Sequence, residues 1–303
     1  MMKSVPIINH PDYVAQIGDD HRFPIKKFGE LIKILKKKNI AKDHNIFRPT
    51  EVSKSTLLNV HNEEYINKIN NLSLTQEEIR KLGFPLVSSV RRRSFVATGG
   101  TVLASKLAVK NKLACNTAGG SHHAFPNQGN GYCVFNDVAV AAKYLKNKYK
   151  FNKILILDLD VHQGDGTAKI FENDDAVFTV SIHSKKNYPS KKQSSNIDIE
   201  LEDGMEDEEY LNVVDQLIKS IETENFNFVF YVAGVDVHCD DRLGKLNISE
   251  TGIRKREKLV INHFYKKNIP LCGVLGGGYN HDFDQLVNLH SILHETCNDI
   301  LMD

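Results

Sequence analysis

Asp158, Asp160 and His162 alternate at the end of an apolar run, Ile154-Leu155-Ile156-Leu157, in a chain of 303 residues. In an extended strand, side chains two apart point to the same face, so this spacing aims two carboxylates and an imidazole in one direction. Ile154 to Leu159 is near-continuous hydrophobe interrupted by Asp158, the pattern of a strand buried on both faces of a parallel sheet. A desolvated carboxylate is costly unless it is paired or coordinated. Two readings follow: a cation-binding cup at the carboxyl edge of a parallel strand, where open α/β sheets place their ligands, or a strand ending in a polar, solvated turn. Asp158 lies inside the apolar run, which favours the cup, and Gly164 and Gly166 then allow a tight loop.

The elements around this stretch alternate. Strand candidates are Leu113–Thr117, Lys153–Leu159, Val177–Ile182, Phe228–Ala233 and Leu271–Leu275. Between and after them come helices near Val134–Lys146, Gly166–Phe171, Asp207–Ile221, Ser249–Lys266 and Phe283–Cys297. That order predicts an α/β fold with a mostly parallel β-sheet flanked by helices on both faces, as one domain over residues 1–303. Upstream, residues 7–25 read as a polar loop. Lys26–Lys38 has helical spacing, with Phe28, Leu31, Ile32 and Leu35 inward and a basic outer face. Short helices are expected at Ser53–Leu58 and His61–Ile69, and Thr75-Gln76-Glu77-Glu78 resembles a capping box. A helical pattern from Leu86 to Lys110 is interrupted at Gly99-Gly100, which either bends the helix or admits another backbone.

Composition narrows the function classes. With 41% hydrophobic and 25% charged residues the chain can bury a large core, and a net charge of +1 points to neither nucleic acid nor a membrane surface. The five cysteines, Cys115, Cys133, Cys239, Cys272 and Cys297, are far apart and form no Cys-x-x-Cys, so a disulfide framework or thiolate zinc site is not expected. The start lacks an apolar signal core, and no run of about 18 apolar residues occurs. A cytoplasmic setting is expected; a nuclear one stays open for a eukaryotic chain, as does leaderless export.

The polar clusters all fall just after strand candidates. They are Gly119-Gly120-Ser121-His122-His123, then Gly129-Asn130-Gly131-Tyr132-Cys133, the Asp158–Gly166 stretch, Gly234 to Asp241, and Gly276-Gly277-Gly278-Tyr279. Such convergence is what one active site requires. Together with Val180-Ser181-Ile182-His183, these motifs resemble the zinc-dependent histone deacetylases of the arginase/deacetylase fold, a three-layer α/β/α architecture. His21-Arg22-Phe23-Pro24, Asp241-Arg242-Leu243-Gly244-Lys245-Leu246-Asn247-Ile248-Ser249 and Asp207-Glu208-Glu209-Tyr210-Leu211 are more narrowly similar to class IV members. The resemblance runs from about residue 6 to the C-terminus.

The resemblance implies Asp160, His162 and Asp236 as ligands of one catalytic Zn2+, a hard donor set with room for water and a substrate carbonyl. It pairs His122 with Asp158 and His123 with Asp165, each carboxylate fixing its imidazole's tautomer. His123 would be the general base, and the acid for the leaving amine, with His122 as electrostatic support. Tyr279 would donate its hydroxyl to the developing oxyanion. A structural K+ site would draw on Asp158, Ser181 and the carbonyls of Asp160, His162 and Ile182. The implied substrate is an acylated lysine side chain of a protein or peptide, gripped by a narrow tube. Gly131 and Tyr132 would form one wall, Tyr188 another, and Gly277 and Gly278 the floor near Tyr279. Tyr188 reads equally as an ordinary loop aromatic.

Other points stay open at this level. Arg22 is matched to an arginine of the family's internal cavity. The loop Ser184–Lys192 carries Lys185, Lys186, Lys191 and Lys192 at the expected rim, either as a solvated loop or as a surface that disfavours basic peptides. His238, two residues past Asp236, raises a second metal, which the His122-His123 pair argues against. Alternatives to a lysine deacylase are a hydrolase of small acylated amines, a two-manganese ureohydrolase, or a non-catalytic acyl-lysine binder. Oligomeric state and acyl length are not legible.

Overall fold

The strands β1 (Ile7–Ile8), β2 (Ile46–Phe47), β3 (Leu113–Asn116), β4 (Ile154–Asp158), β5 (Val177–Ser184), β6 (Ile197–Leu201), β7 (Phe228–Val232) and β8 (Leu271–Val274) join one sheet. Its order is β2-β1-β3-β8-β7-β4-β5-β6, and every pairing is parallel. The structure, a computed structural model, describes residues 4–302; the ends of the expected span, residues 1–3 and 303, lie outside them.

Every residue of β3, β4, β7 and β8 is buried, which explains their unbroken apolar runs. One face is covered by α5 (Ser88–Asn111), α6 (Asp137–Tyr149) and α7 (Asp165–Phe171), which pack side by side. The other carries α1 (Lys27–Lys37), α8 (Asp207–Ser220), α9 (Glu250–Lys266) and α10 (Phe283–Met302). Smaller helices α2 (Lys54–Leu57), α3 (Glu63–Asn70) and α4 (Gln76–Leu82) lie between α1 and α5 in the chain, and α4 starts with the expected capping box. This is the expected three-layer arrangement.

Three strands were not anticipated. β1 lies in the supposed polar loop and, with β2, forms a two-residue rung that extends the sheet beyond β3. The alternation Ile197-Asp198-Ile199-Glu200-Leu201 makes β6 an edge strand with Asp198 and Glu200 exposed. The expected break at Gly99-Gly100 does not occur, because α5 runs unbroken for 24 residues. The glycines serve close approach: a Cβ on Gly99 would stand 2.1 Å from the Thr50 carbonyl oxygen. On Gly100 it would stand 2.0 Å from the Tyr13 hydroxyl.

The chain passes from β3 out to β4, β5 and β6, then returns to insert β7 and β8 in the gap. Four neighbouring strands, β3-β8-β7-β4, therefore present their carboxyl ends side by side. A ligand crevice forms at such a change of direction.

Candidate active site

The loop after β4 supplies Asp160 and His162, and the loop after β7 supplies Asp236. His162 Nδ1 lies 3.0 Å from Asp160 Oδ1 and 3.1 Å from Asp236 Oδ2. All three side chains are buried. The remaining carboxylate oxygens are held by backbone N–H groups: Gly277 donates to Asp160 Oδ2 at 2.6 Å and Val161 to Asp236 Oδ1 at 2.9 Å. Among the described residues neither aspartate has a lysine or arginine within ion-pairing distance. Burial opposes a charge on His162, yet hydrogen bonds and the charges of Asp160 and Asp236 lift its pKa to about 10. Burial and the charge of Asp160 push Asp236 upward. Two buried carboxylates that converge on one imidazole nitrogen, with no lysine or arginine paired to them among the described residues, form a donor set that fits a divalent cation, which would take the place of the proton on His162.

Arg256 braces this cup from α9. Its Nη1 donates to the carbonyls of Leu159 (3.3 Å) and Gly234 (2.8 Å), tying together the two strand ends that bear the ligands. The sequence reading missed it.

Two histidine–aspartate pairs face the cup. His122 Nδ1 donates to Asp158 Oδ2 at 2.6 Å, and His123 Nδ1 donates to Asp165 Oδ1 at 2.7 Å. The two Nε2 atoms are 3.1 Å apart, and His122 Nε2 is 3.8 Å from Asp160 Oδ1. Burial would lower His122, but the charges of Asp158 and Asp160 override it and its pKa stands at about 9. Burial and the positive His122 bring His123 down to about 4, against the pull of Asp165.

Tyr279 follows the glycine run after β8 and lines the same cavity as His122, His123, Asp160 and His162, a space of about 410 Å³. Gly277 packs directly on the cup: a Cβ there would stand 2.0 Å from Asp236 Oδ2. Gly131 and Tyr132 line the cavity too, and a Cβ on Gly131 would meet His123 at 2.8 Å. Tyr188 is 38% exposed and stands edge-on to His123, ring centres 4.8 Å apart. Asp158 and Ser181 are direct partners in the β4–β5 register with Ile182 adjacent, and Ser181 Oγ lies 2.9 Å from His183 Nδ1.

Arg22 requires correction. Its side chain is exposed, and its carbonyl accepts from Arg242 at 3.1 Å. The arginine that lines the cavity is Arg93 of α5, which donates to the Tyr13 carbonyl at 3.0 Å and lies 4.7 Å from the Phe28 ring. Beside it, Lys27 donates to the Gly278 carbonyl at 3.2 Å and sits 5.5 Å from the rings of Phe23, Phe28 and Tyr279. Burial brings Lys27 down to about 8, against the charges of Asp236, Asp241 and Asp160. Lys27 belongs to the Lys26–Lys38 stretch whose outer face is expected to be basic, but it falls on the apolar stripe with Leu31 and Leu35 and is buried.

The remaining open points separate. His238 Nδ1 accepts from the Asp240 and Asn280 nitrogens, both at 3.2 Å, and groups with Cys239 and Asp240 apart from the cup. Lys185 and Lys186 pair with Glu202 at 3.3 and 3.5 Å, and Lys192 donates to the carbonyls of Asn187 and Pro189, so much of the rim's charge is engaged. The five cysteines are free thiols. No helix among the described residues is long and apolar enough to cross a membrane.

Comparison with known proteins agrees with this geometry. The histone deacetylase domain profile matches residues 21–292. An uncharacterized protein of Picosynechococcus is 41% identical over 97% of this chain and 99% of its own length. Histone deacetylase 2 of Arabidopsis thaliana is 32% identical over 86% of this chain and 70% of its own length. The acetoin utilization protein AcuC of Staphylococcus aureus is 27% identical over 86% and 73%. A crystal structure of a histone deacetylase homologue from Aquifex aeolicus superposes with a TM-score of 0.83 at 26% identity, covering 98% of this chain and 84% of that one. The chain belongs to the histone deacetylase family of hydrolases.

Proposed function

We propose that this protein is a zinc-dependent lysine deacylase that cleaves the amide of acylated lysine side chains in proteins or peptides. The observation that carries the reading is the placement of two buried His–Asp pairs against one three-donor cup. Asp160, His162 and Asp236 would hold the Zn2+, which supplies Lewis acidity toward the substrate carbonyl. His123 takes the proton of the attacking water at Nε2 and returns it to the departing lysine amine. Its Nδ1–H bond to Asp165 keeps the lone pair on Nε2. His122, bonded through Nδ1 to Asp158 beside the cup, stabilises negative charge developing on the reacting atoms. Tyr279 donates its hydroxyl to the substrate oxyanion, while Gly131, Tyr132 and Tyr188 flank the lysine methylenes. K+ at Asp158, Ser181 and the carbonyls of Asp160, His162 and Ile182 would brace the β4–β5 ends. The segments at residues 21–24, 207–211 and 241–249 support a class IV-like member.

The likeness to acetoin utilization proteins supports a second reading, hydrolysis of small acylated amines. The deciding experiment compares acetyl-, butyryl- and myristoyl-lysine peptides with acetylated polyamines, with bound metal quantified and stripped by chelation. Turnover of peptides that chelation abolishes and Zn2+ restores is expected. Turnover confined to the free amines, or untouched by chelation, would overturn the proposal.

A further inference from the structure

Two of the three segments that narrow the family resemblance, residues 21–24 and 241–249, meet at Tyr279. Tyr279 follows three glycines, with φ of +66° at Gly276 and +154° at Gly278, so its own backbone is poorly equipped to hold one orientation. Stiffer residues do not fit there: a Cβ on Gly278 would stand 2.6 Å from Val235, and the space at Gly277 is taken by Asp236. Rigidity has to come from outside the run.

Lys27 and Asp160 hold the glycines, but on the Tyr279 main chain itself rigidity comes from one dipeptide. The Tyr279 N–H donates to Asp241 Oδ2 at 2.6 Å, and Arg242 Nε donates to the Tyr279 carbonyl at 2.6 Å. Both bonds involve a charged group and are short, the strong class of hydrogen bond. The dipeptide is itself anchored. Asp241 Oδ1 accepts from the N–H groups of Leu243 and Gly244 at 2.8 and 2.9 Å. Gly244 packs so closely on the Asp236 carbonyl oxygen that a Cβ would stand 2.0 Å from it. Arg242 Nη2 donates to the Arg22 carbonyl, and the next residue, Phe23, lies edge-on to the Tyr279 ring with centres 6.0 Å apart.

We propose that Asp241 and Arg242 are positioning residues that clamp the Tyr279 main chain and so hold its hydroxyl where charge develops on the substrate oxygen. The proposal rests on the reading of Tyr279 as oxyanion donor. Such donors act through preorganisation, and a misplacement of about 1 Å costs on the order of 100-fold.

The test makes Arg242→Gln, Arg242→Lys and Asp241→Asn in the native chain, and Arg242→Gln again in a Tyr279→Phe background. Each variant is assayed for kcat and KM on an acyl-lysine peptide, for amide hydrogen exchange across residues 276–279, and for melting temperature. Arg242→Gln is expected to lower kcat by about 10- to 100-fold, with KM within about twofold, near-native melting and faster exchange at Tyr279. Arg242→Lys should recover part of the loss, and Arg242→Gln should cost nothing further once the hydroxyl is gone, because residues acting through one group are not additive. Equal losses in both backgrounds, a loss carried by KM, or unchanged exchange would overturn the clamp. A Tyr279→Phe variant with native kcat would instead overturn the oxyanion reading, and faster exchange in Arg242→Gln would then mark that failure as separate from the clamp's geometry.

Discussion

His122 and His123 are adjacent in the chain, equally buried, and each bonded through Nδ1 to a buried aspartate, yet one stands at a pKa of about 9 and the other at about 4. The bonded carboxylate cannot explain the gap, because each has one at nearly the same distance. The second neighbour does. His122 also faces Asp160, 3.8 Å from its Nε2, whereas His123 faces the His122 cation at 3.1 Å. A tandem pair on one loop thereby takes two proton affinities without any difference in residue type, and on the proposed function the first ring is the fixed charge and the second the proton acceptor.

The largest test of that split is deletion of each ring. His123→Ala should lower kcat by about 10²- to 10⁴-fold, the span of general acid–base catalysis. His122→Ala, which removes a charge and leaves the base, should cost about 10- to 100-fold. Steady-state kinetics on an acetyl-lysine peptide separates the two, and equal losses would mean that the rings share the proton work.

The next effect is one of sign. The base form of His123 exists above its pKa, so activity should fall as pH drops through about 4. Asp165→Asn removes a group that raises His123, so the acid limb should move lower, with a plateau reduced by up to about 10⁴-fold as tautomer control is lost. Asp158→Asn removes the main source of positive charge on His122, and that charge depresses His123, so the acid limb should move higher. Profiles of kcat/KM against pH for the three proteins check this. Shifts in the same direction would show that the pairs are not coupled through His122.

Most of the fold was legible from the alternation of strands and helices, and Asp160 and His162 from their conflict with the apolar background, whereas Asp236 as their partner came from the family resemblance. A carboxylate inside Ile154–Leu159 is an anomaly whose resolution is a site, and the clusters after β3, β7 and β8 lie where a parallel sheet gathers its loops. What escaped depends on groups that look ordinary in sequence. Lys27 and Arg93 sit on helices rich in basic residues, and only the packing of Phe23 and Phe28 around them distinguishes a buried cation from a solvated one. β1 and β2 are two residues each, too short for any periodicity to register. β6 is different: Ile197–Leu201 alternates cleanly, and the signal was present but lay beside a lysine-rich loop. Arg256 neighbours Lys255 on α9, and nothing in the spacing says that it points beneath the cup.

The smallest expected effect separates the pairs through the glycines that shield them. A Cβ on Gly131 would stand 2.8 Å from the His123 ring and 3.2 Å from Tyr188, on a backbone with φ of +51°. A Cβ on Gly164 would stand 2.5 Å from Asp158 Oδ2 and 3.3 Å from the His122 Cβ, away from the His123 ring. Gly131→Ala therefore presses on the proton acceptor and the tube, while Gly164→Ala presses on the fixed charge and its carboxylate. The first should lower kcat by about 10-fold, a fraction of a 1 Å misplacement, and lower melting too, because alanine is strained at that φ. The second should be felt chiefly in stability, because overpacking a closed interior costs about 1–3 kcal/mol and the Asp158 carboxylate has a backbone N–H as well as His122 to lose. Kinetics and thermal unfolding of both variants decide the matter. A Gly164→Ala protein with native stability and a tenfold slower turnover would assign His122 a direct part in proton transfer, and the division between the two histidines would have to be redrawn.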